Sequence, residues 1–271
     1  MVSAMRGASA EAQAELLDRL TGALGSADAA SVGTDLFGAA SVIRSEAGLR
    51  RVVTDISTPG EAKATLVTGI FEGKLDPVAL DLVVDAVRRR WTATRDLADT
   101  LEHLGVVALV RSAGDADAER LSDELFGVGR LVEENPDLRA ALSDHVRSVA
   151  DRRQLVRGLL GDRTLPATVA LAEQALAGSY RTFGVAIAEY QKIAAAVHDE
   201  RVARVRVAQE LSDDDRQRLE QALSRQYGRD VHLNVVVEPE LLGGMRVEIG
   251  DDVIDGTVVS RLDEARRKLA G

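Results

Sequence analysis

The sequence repeats itself at a constant interval of 89 residues. The segment DLFGAASVIRSEAGLRRVVTD (35–55) aligns with ELFGVGRLVEENPDLRAALSD (124–144). The alignment continues without a gap to Trp91, which aligns with Tyr180. A match of this length without a gap indicates two copies of one structural module. A period this long, present twice, is typical of duplicated bundles rather than of a solenoid of many short units. Positions identical in both copies include Leu36, Phe37, Gly38, Leu49, Arg50, Asp55, Leu66, Val67, Gly69 and Pro77, each matched 89 residues later.

Both copies are predicted to be helical, and strand signals are nearly missing before residue 200. The composition of this part is rich in Ala, Leu, Arg and Glu, which are good helix formers. We therefore predict a first helical bundle over residues 1–104 and a second over residues 105–200. The apolar stripe that marks the first helix at helical spacing consists of Leu16, Leu17, Leu20 and Leu24.

The periodicity changes at about residue 201. The segment RVARVRVA (201–208) alternates between apolar and arginine side chains, as expected for a half-buried strand. A helix is predicted next, with Ser212 as its N-cap and Gly228 as the residue that ends it. Three short strands follow, VHLNVVVEP, GMRVEIG and DVID, and then a last helix over about 256–269. In the first of these strands, the side chains expected to face inward are Leu233, Val235 and Val237.

The predicted fold class is therefore mainly α with a small α+β C-terminal domain over residues 201–271. Two tandem helical bundles precede a strand–helix–strand–strand–strand–helix unit, and a chain of 271 residues is long enough for this number of domains.

Composition excludes several classes of function. The chain has no cysteine, so disulfides, thiolate metal sites and cysteine nucleophiles are ruled out. Aromatic residues make up 3% and the net charge is −10, so we expect no nucleic-acid partner, which would need clustered basic and aromatic side chains. No apolar run approaches 18 residues, so we expect no membrane-spanning helix.

Candidate catalytic, cofactor-binding and metal-binding residues are not found. The segment GIFEGKL (69–75) resembles a phosphate loop, but its glycine spacing is wrong and no strand precedes it, so Gly73 is predicted to end a helix. No pair of histidines has metal-ligand spacing, and no serine lies in a Gly-x-Ser-x-Gly turn. The four histidines are His103, His145, His198 and His232.

The segment ELLGGMRVEIGDDVIDGTVVSRLDEA (240–265) offers three interpretations: a phosphate loop, an acidic metal site or a fold signature. Its glycine pair precedes a strand, whereas a phosphate loop has the strand first and the helix after it. The aspartates lack the spacing of a calcium loop, and they suit a turn and a helix cap. We therefore predict that Gly243 and Gly244 permit a tight entry into a strand, and that Asp255 or Thr257 caps the last helix.

The C-terminal stretch VVVEPELLGGMRVEIGDDVIDGTVVSRLDEARRKL resembles the signature of the delta subunit of bacterial ATP synthases, the family that includes the mitochondrial oligomycin sensitivity conferring protein. Glu238 and Thr257 depart from the usual Asp and Ser of the family. The family is usually one bundle plus the small C-terminal domain, and the extra copy is similar to the enlarged actinobacterial form. The signature residues, to which we assign a structural role, are Pro239, Leu242, Gly243, Gly244, Gly250, Ile254, Asp255, Gly256 and Leu262.

This resemblance implies a non-catalytic stator subunit without cofactor. Its helical bundles would take up N-terminal helices of the alpha subunits, and its C-terminal domain would hold a b-type subunit of the peripheral stalk. The chain would then link the alpha/beta catalytic head to the stalk, as a peripheral component at the cytoplasmic face of the cell membrane. Its contact with the membrane would be made only through the complex. No apolar segment precedes the helical copies, so we expect the form that is not fused to a stalk subunit.

Two other hypotheses remain open at this stage. One is a free-standing helical adaptor or regulatory protein with a related C-terminal domain. The other is an acidic hydrolase that depends on a divalent metal near Asp252.

Overall fold

The computed structural model describes residues 5–25, 27–144, 146–228, 231–238, 241, 243–249 and 252–256. The described residues form two compact units, one up to Ala194 and one from Ala195 onward. The helices in chain order are α1 Ala8–Ala23, α2 Ala29–Ser45, α3 Ala47–Thr54, α4 Gly60–Phe71, α5 Pro77–Arg88, α6 Asp96–Ser112, α7 Ala118–Glu134, α8 Pro136–Ser143, α9 Val149–Leu160, α10 Pro166–Gln174, α11 Phe183–Arg201 and α12 Asp213–Tyr227.

The helices of the first unit repeat with the interval found in the sequence. Shifting α2, α3 and α4 by 89 residues gives the bounds of α7, α8 and α9, and shifting the start of α5 gives the start of α10. Shifting α1 by 89 residues gives 97–112, which is almost the whole of α6. Shifting α6 by 89 residues gives 185–201, which lies within α11. Helix α6 is therefore the last helix of one copy and the first helix of the next. The predicted bundle boundary between residues 104 and 105 lies inside this shared helix.

The two copies also repeat a contact at the start of their fifth helix. In the first copy, Asp35 Oδ2 accepts a hydrogen bond of 2.6 Å from the backbone N–H of Asp76. In the second copy, Glu124 Oε2 accepts one of 2.8 Å from the N–H of Leu165. These N–H groups stand just before Pro77 and Pro166, where the start of a helix leaves donors without an internal partner.

Close packing in the first copy depends on two glycines. A Cβ atom on Gly33 of α2 would lie 2.9 Å from the carbonyl oxygen of Gly105 on α6, and one on Gly105 would lie 2.6 Å from the Phe37 ring. These distances are below van der Waals contact, so α2 and α6 approach each other where side chains are absent. Helix α6 is buried over most of its length, at Asp96, Leu97, Ala98, Thr100, Leu101, Glu102, Leu104, Gly105, Val106, Val107, Ala108, Leu109 and Val110.

The second unit contains a four-stranded mixed sheet. Its strands are β1 Val202–Val207, β2 His232–Val237, β3 Met245–Ile249 and β4 Asp252–Asp255, in the order β2-β1-β3-β4. Strands β1 and β2 are parallel and joined through α12, whereas β1 with β3 and β3 with β4 are antiparallel. The core between the sheet and α12 is formed by Ala203, Val205, Val207, Leu223, Val231, Val247 and Ile249.

The predicted fold class is confirmed, because a mainly helical region precedes a small α+β unit with the expected order of strands and helix. Ser212 accepts a hydrogen bond from the N–H of Asp215, and Gly228 ends α12 with a φ of 65°. Leu233, Val235 and Val237 lie on the predicted inward face, since Val237 pairs with the core residue Val207, although the Val237 side chain is 40% exposed. Val237 is the last residue of an edge strand, which has a neighbour on one side only. The predicted last helix at about 256–269 lies outside the described residues, apart from Gly256.

Candidate functional site

A buried carboxylate joins the two helical copies. Glu102 on α6 is 1% exposed, and Arg44 Nη2 at the end of α2 donates to its Oε2 at 2.6 Å. The N–H of Ser179 donates to the same oxygen at 2.8 Å, and Tyr190 Oη on α11 donates to Oε1 at 2.9 Å. One ionised group thus holds side chains or backbone from α2, α11 and the α10–α11 connection. A buried charge is tolerated because it is paired and hydrogen-bonded in this way.

The surroundings of Glu102 keep this arrangement fixed. A side chain at Gly178 would collide with the Glu102 carboxylate, so the backbone passes where only glycine fits. The rings of Tyr180 and Tyr190 pack edge to face, with centroids 5.6 Å apart. Burial, with the Glu102 charge, raises the pKa of Tyr180 to about 12 and raises the pKa of Tyr190 further. Tyr190 therefore stays protonated and can donate its hydrogen bond throughout the physiological pH range.

The Glu102 network does not belong to the repeated module. The residues 89 positions before and after Glu102 are Gln13 and Gln191, and Glu133 stands at the position equivalent to Arg44. Sequence patterns do not reveal these residues, because a charged side chain in a helix is ordinarily exposed. The signal that could have found them is this departure from an otherwise regular repeat.

A cleft lies beside the network, between the first copy and the α10–α11 connection. Its volume is about 770 Å³ and four arginines line it. Arg44 comes from α2, Arg50 from α3, Arg95 precedes α6, and Arg181 belongs to the α10–α11 connection. Asp99 is the one acidic side chain of the lining. Burial raises the pKa of the Asp99 carboxyl, and the Arg44 guanidinium offsets part of this shift.

The structure places the predicted signature glycines near the start of β3. Gly243 and Gly244 have φ values of 132° and 84°, a region that favours glycine, directly before Met245. The N–H of Gly256 donates to the carbonyl oxygen of Met245 at 2.9 Å, across the β3–β4 pair. Asp255 lies in β4 opposite Arg246. The predicted signature residues Pro239, Leu242, Gly250 and Leu262 lie outside the described residues.

The described residues hold no group of three or more His, Asp or Glu side chains that could bind a metal ion. His103 lies on α6, where burial lowers the pKa of its imidazole, and His232 lies in β2. His198 lies in α11, and His145 is outside the described residues. Gly73 has a φ of 72° two residues after the end of α4, which confirms that GIFEGKL ends a helix.

Comparison with known proteins gives the family. Residues 106–269 match the model of the ATP synthase delta (OSCP) subunit family, which is more than half of the chain. The chain belongs to the ATP synthase delta (OSCP) family. The ATP synthase subunit delta of Nocardioides sp. is 63% identical to it and is covered over 98% of its length. Those of Kineococcus radiotolerans and Nocardia farcinica are 44% and 40% identical and are covered over 96% and 100% of their lengths.

The family resemblance seen in the sequence is thereby confirmed, including the enlarged actinobacterial form. The family model begins inside α6, so it covers the second copy and the C-terminal unit, whereas these relatives match the whole length. A chain of the Toxoplasma gondii mitochondrial ATP synthase hexamer covers 61% of this chain and 95% of its own. Its identity is 16% and its TM-score 0.34, a level that carries no information on function.

Membership of the delta (OSCP) family confirms that the chain is a non-catalytic, stator-type subunit of ATP synthase. In the part of the chain that the structure describes, no helix has the length and apolar character needed to cross a bilayer.

Proposed function

We propose that this chain links the alpha/beta catalytic head of the ATP synthase to its peripheral stalk, so that rotation is coupled to ATP synthesis. In this role the helical copies bind N-terminal helices of alpha subunits, and the C-terminal unit binds a b-type stalk subunit. The chain then lies at the cytoplasmic face of the cell membrane as a peripheral component of the complex. The observation that carries the proposal is the match to the delta (OSCP) family, shared over the full length with actinobacterial relatives.

The packing of the helical unit supports a load-bearing role. A connector that resists torque needs parts that do not shift against each other, and α6 belongs to both copies. Glu102 adds a buried, charge-assisted contact between α2, α6 and α11. Stretching one copy away from the other would require breaking this contact inside a low-dielectric interior.

From the sequence alone, the second copy (105–200) is favoured for binding an alpha N-terminal helix, because it adjoins the C-terminal domain. The burial of the equivalent first helices supports the first copy instead. In α1, four of the sixteen residues are buried, whereas thirteen of the seventeen residues of α6 are buried. A helix-in-groove contact needs an accessible helix face. We therefore place an alpha N-terminal helix along α1 in the first copy, because α6 is enclosed by neighbouring helices.

The outer face of the C-terminal sheet suits an amphipathic partner helix. Val236 and Val253 are 43% and 54% exposed on the face opposite α12. Arg206 lies between them and stands 3.5 Å from Glu238 and 3.8 Å from Glu248. Exposed valines among charged side chains match a helix with one apolar and one charged face.

Co-purification tests this proposal. The tagged full-length chain is mixed with alpha subunits that have or lack their N-terminal helix, and with b-type subunits that have or lack their C-terminal end. We expect the intact subunits to be retained and the truncated ones to be lost, because the truncations remove the proposed binding segments. Failure to retain either intact subunit would contradict the connector role and favour a free-standing adaptor.

A further inference from the structure

We propose that the arginine cleft beside Glu102 binds a partner segment that carries two or more carboxylates. The cleft lies within the helical unit, and no signature residue of the family lines it. Its volume of about 770 Å³ falls in the range of about 300–1,000 Å³ that is usual for ligand sites. The residues that line the cleft include none from α1 and none from the C-terminal sheet.

The charge of the cleft is not neutralised by the protein itself. Arg44 is paired with Glu102 and with Asp99 at 3.2 Å, so its charge is compensated. Among the described residues, Arg50 and Arg181 have no ion-pair partner, and Arg95 has only Asp96 at 3.9 Å. Arg50 donates one hydrogen bond to the carbonyl oxygen of Arg44, so its charge is not compensated by a carboxylate. The three guanidinium groups thus carry positive charge without a close acidic partner among the residues that the structure describes, in a chain whose net charge is −10. A basic cleft on an acidic protein would steer an anionic partner to this place.

Two helix N-termini and an unpaired side-chain donor also favour the binding of an anion in the cleft. Helices α6 and α11 both begin at the cleft, so the positive ends of two helix dipoles lie there. The buried Nη1 of Arg44 has no hydrogen-bond partner within the described part of the chain. A buried donor without a partner costs free energy, and an oxygen atom of a bound carboxylate could accept its hydrogen bond.

The arrangement of the arginines favours carboxylates on an extended segment over a single small anion. The available groups come from α3, from the residue before α6 and from the α10–α11 connection. Guanidinium groups bind carboxylates through two parallel hydrogen bonds. Charges spread over three elements are better matched by several carboxylates along a chain than by one compact ion.

Binding of a fluorescein-labelled hexaglutamate peptide to the full-length chain tests the proposal by fluorescence anisotropy. We expect saturable binding that weakens with added salt, because partly exposed charges are screened. The variant Arg95→Glu/Arg181→Glu should bind at least about tenfold more weakly, a change of about 1.4 kcal/mol. The matched control Arg139→Glu/Arg216→Glu makes the same change of charge at exposed positions that do not line the cleft, and it should bind like the natural chain.

Three results would overturn the proposal. The natural chain could show no saturable binding, or the control variant could lose as much affinity as the cleft variant. Pyrophosphate could also displace the peptide at a similar concentration, which would assign the cleft to a small anion. Should the double variant lose its thermal unfolding transition, Arg181→Gln alone takes its place, because this exposed side chain makes no ion pair in the described residues.

Discussion

At the scale of single residues, the closest helix contact is the most sensitive to an added methyl group. We expect Gly105→Ala to lower the free energy of unfolding by about 1–3 kcal/mol, because the new Cβ would overlap the Phe37 ring and the Gly33 carbonyl. Gly38→Ala is the control, since nothing lies within 4 Å of a Cβ there. It should raise stability by about 0.5–1 kcal/mol, as for other exposed helical glycines. Urea denaturation measures both, and equal effects would contradict the close α2–α6 approach.

Glu102 provides a second comparison at this scale. Glu102→Ala should cost about 3–5 kcal/mol, because it leaves the Arg44 charge without its buried partner. Glu61 also pairs with an arginine, Arg88 at 2.9 Å, but its side chain is 82% exposed. Glu61→Ala should therefore cost less than about 1 kcal/mol. Thermal unfolding of both variants measures the difference, and a small effect of Glu102→Ala would show that the copies are not held together through this group.

Sequence patterns predict the residues of the second unit better than those of the junction. Ser212, Gly228 and the inward face of β1 follow from capping preferences and alternation, which are local rules. Glu102 and Ser179 are 77 positions apart in the chain, and their contact depends on how two copies pack. No local rule places an acidic side chain and a distant backbone N–H together.

At the scale of helices, the two copies differ although their sequences match. Phe37 on α2 and Phe126 on α7 are equivalent, but they are 8% and 53% exposed. The Phe37 ring packs against Gly105 of α6, and the equivalent position in α11 is Ala194. The methyl group of an alanine leaves less room for an equivalent ring than a glycine does. Identical residues therefore need not have identical surroundings, and the repeat alone could not predict this.

Alanine substitution measures that difference directly. Phe37→Ala should destabilise the chain by about 3–5 kcal/mol, as for other buried aromatic side chains, because it opens a cavity between α2 and α6. Phe126→Ala should change stability by less than about 1 kcal/mol, since half of the ring is already in water. Chemical denaturation of the pair decides the question. Similar losses would mean that the second copy packs its phenylalanine as the first one does.

At the scale of the whole molecule, the helical repeat and the α+β unit were predictable, whereas the way the copies join was not. A repeat with a gap-free interval predicts two modules, with a boundary between residues 104 and 105. The structure instead shows a helix that serves both modules, because α1 and α6 are each equivalent to the helix 89 residues further on. Sharing a helix removes the flexible linker that separate domains would have had.

This construction fits the proposed role in coupling. A stator that yields under load would let the catalytic head turn with the rotor, and proton flow would then be lost without ATP synthesis. The two modules share a continuous helix and a buried ion pair, so they are not joined through a loop. The proposed connector role therefore rests on the family and is consistent with this packing.

ATP-driven proton pumping in inverted membrane vesicles tests the connector role most directly. Vesicles from cells that lack this chain should still hydrolyse ATP at the catalytic head but should pump few protons, since the head is not held to the stalk. Adding the purified full-length chain should restore pumping, and adding a heat-denatured sample should not. Pumping at the level of natural vesicles in the absence of the chain would contradict the connector role.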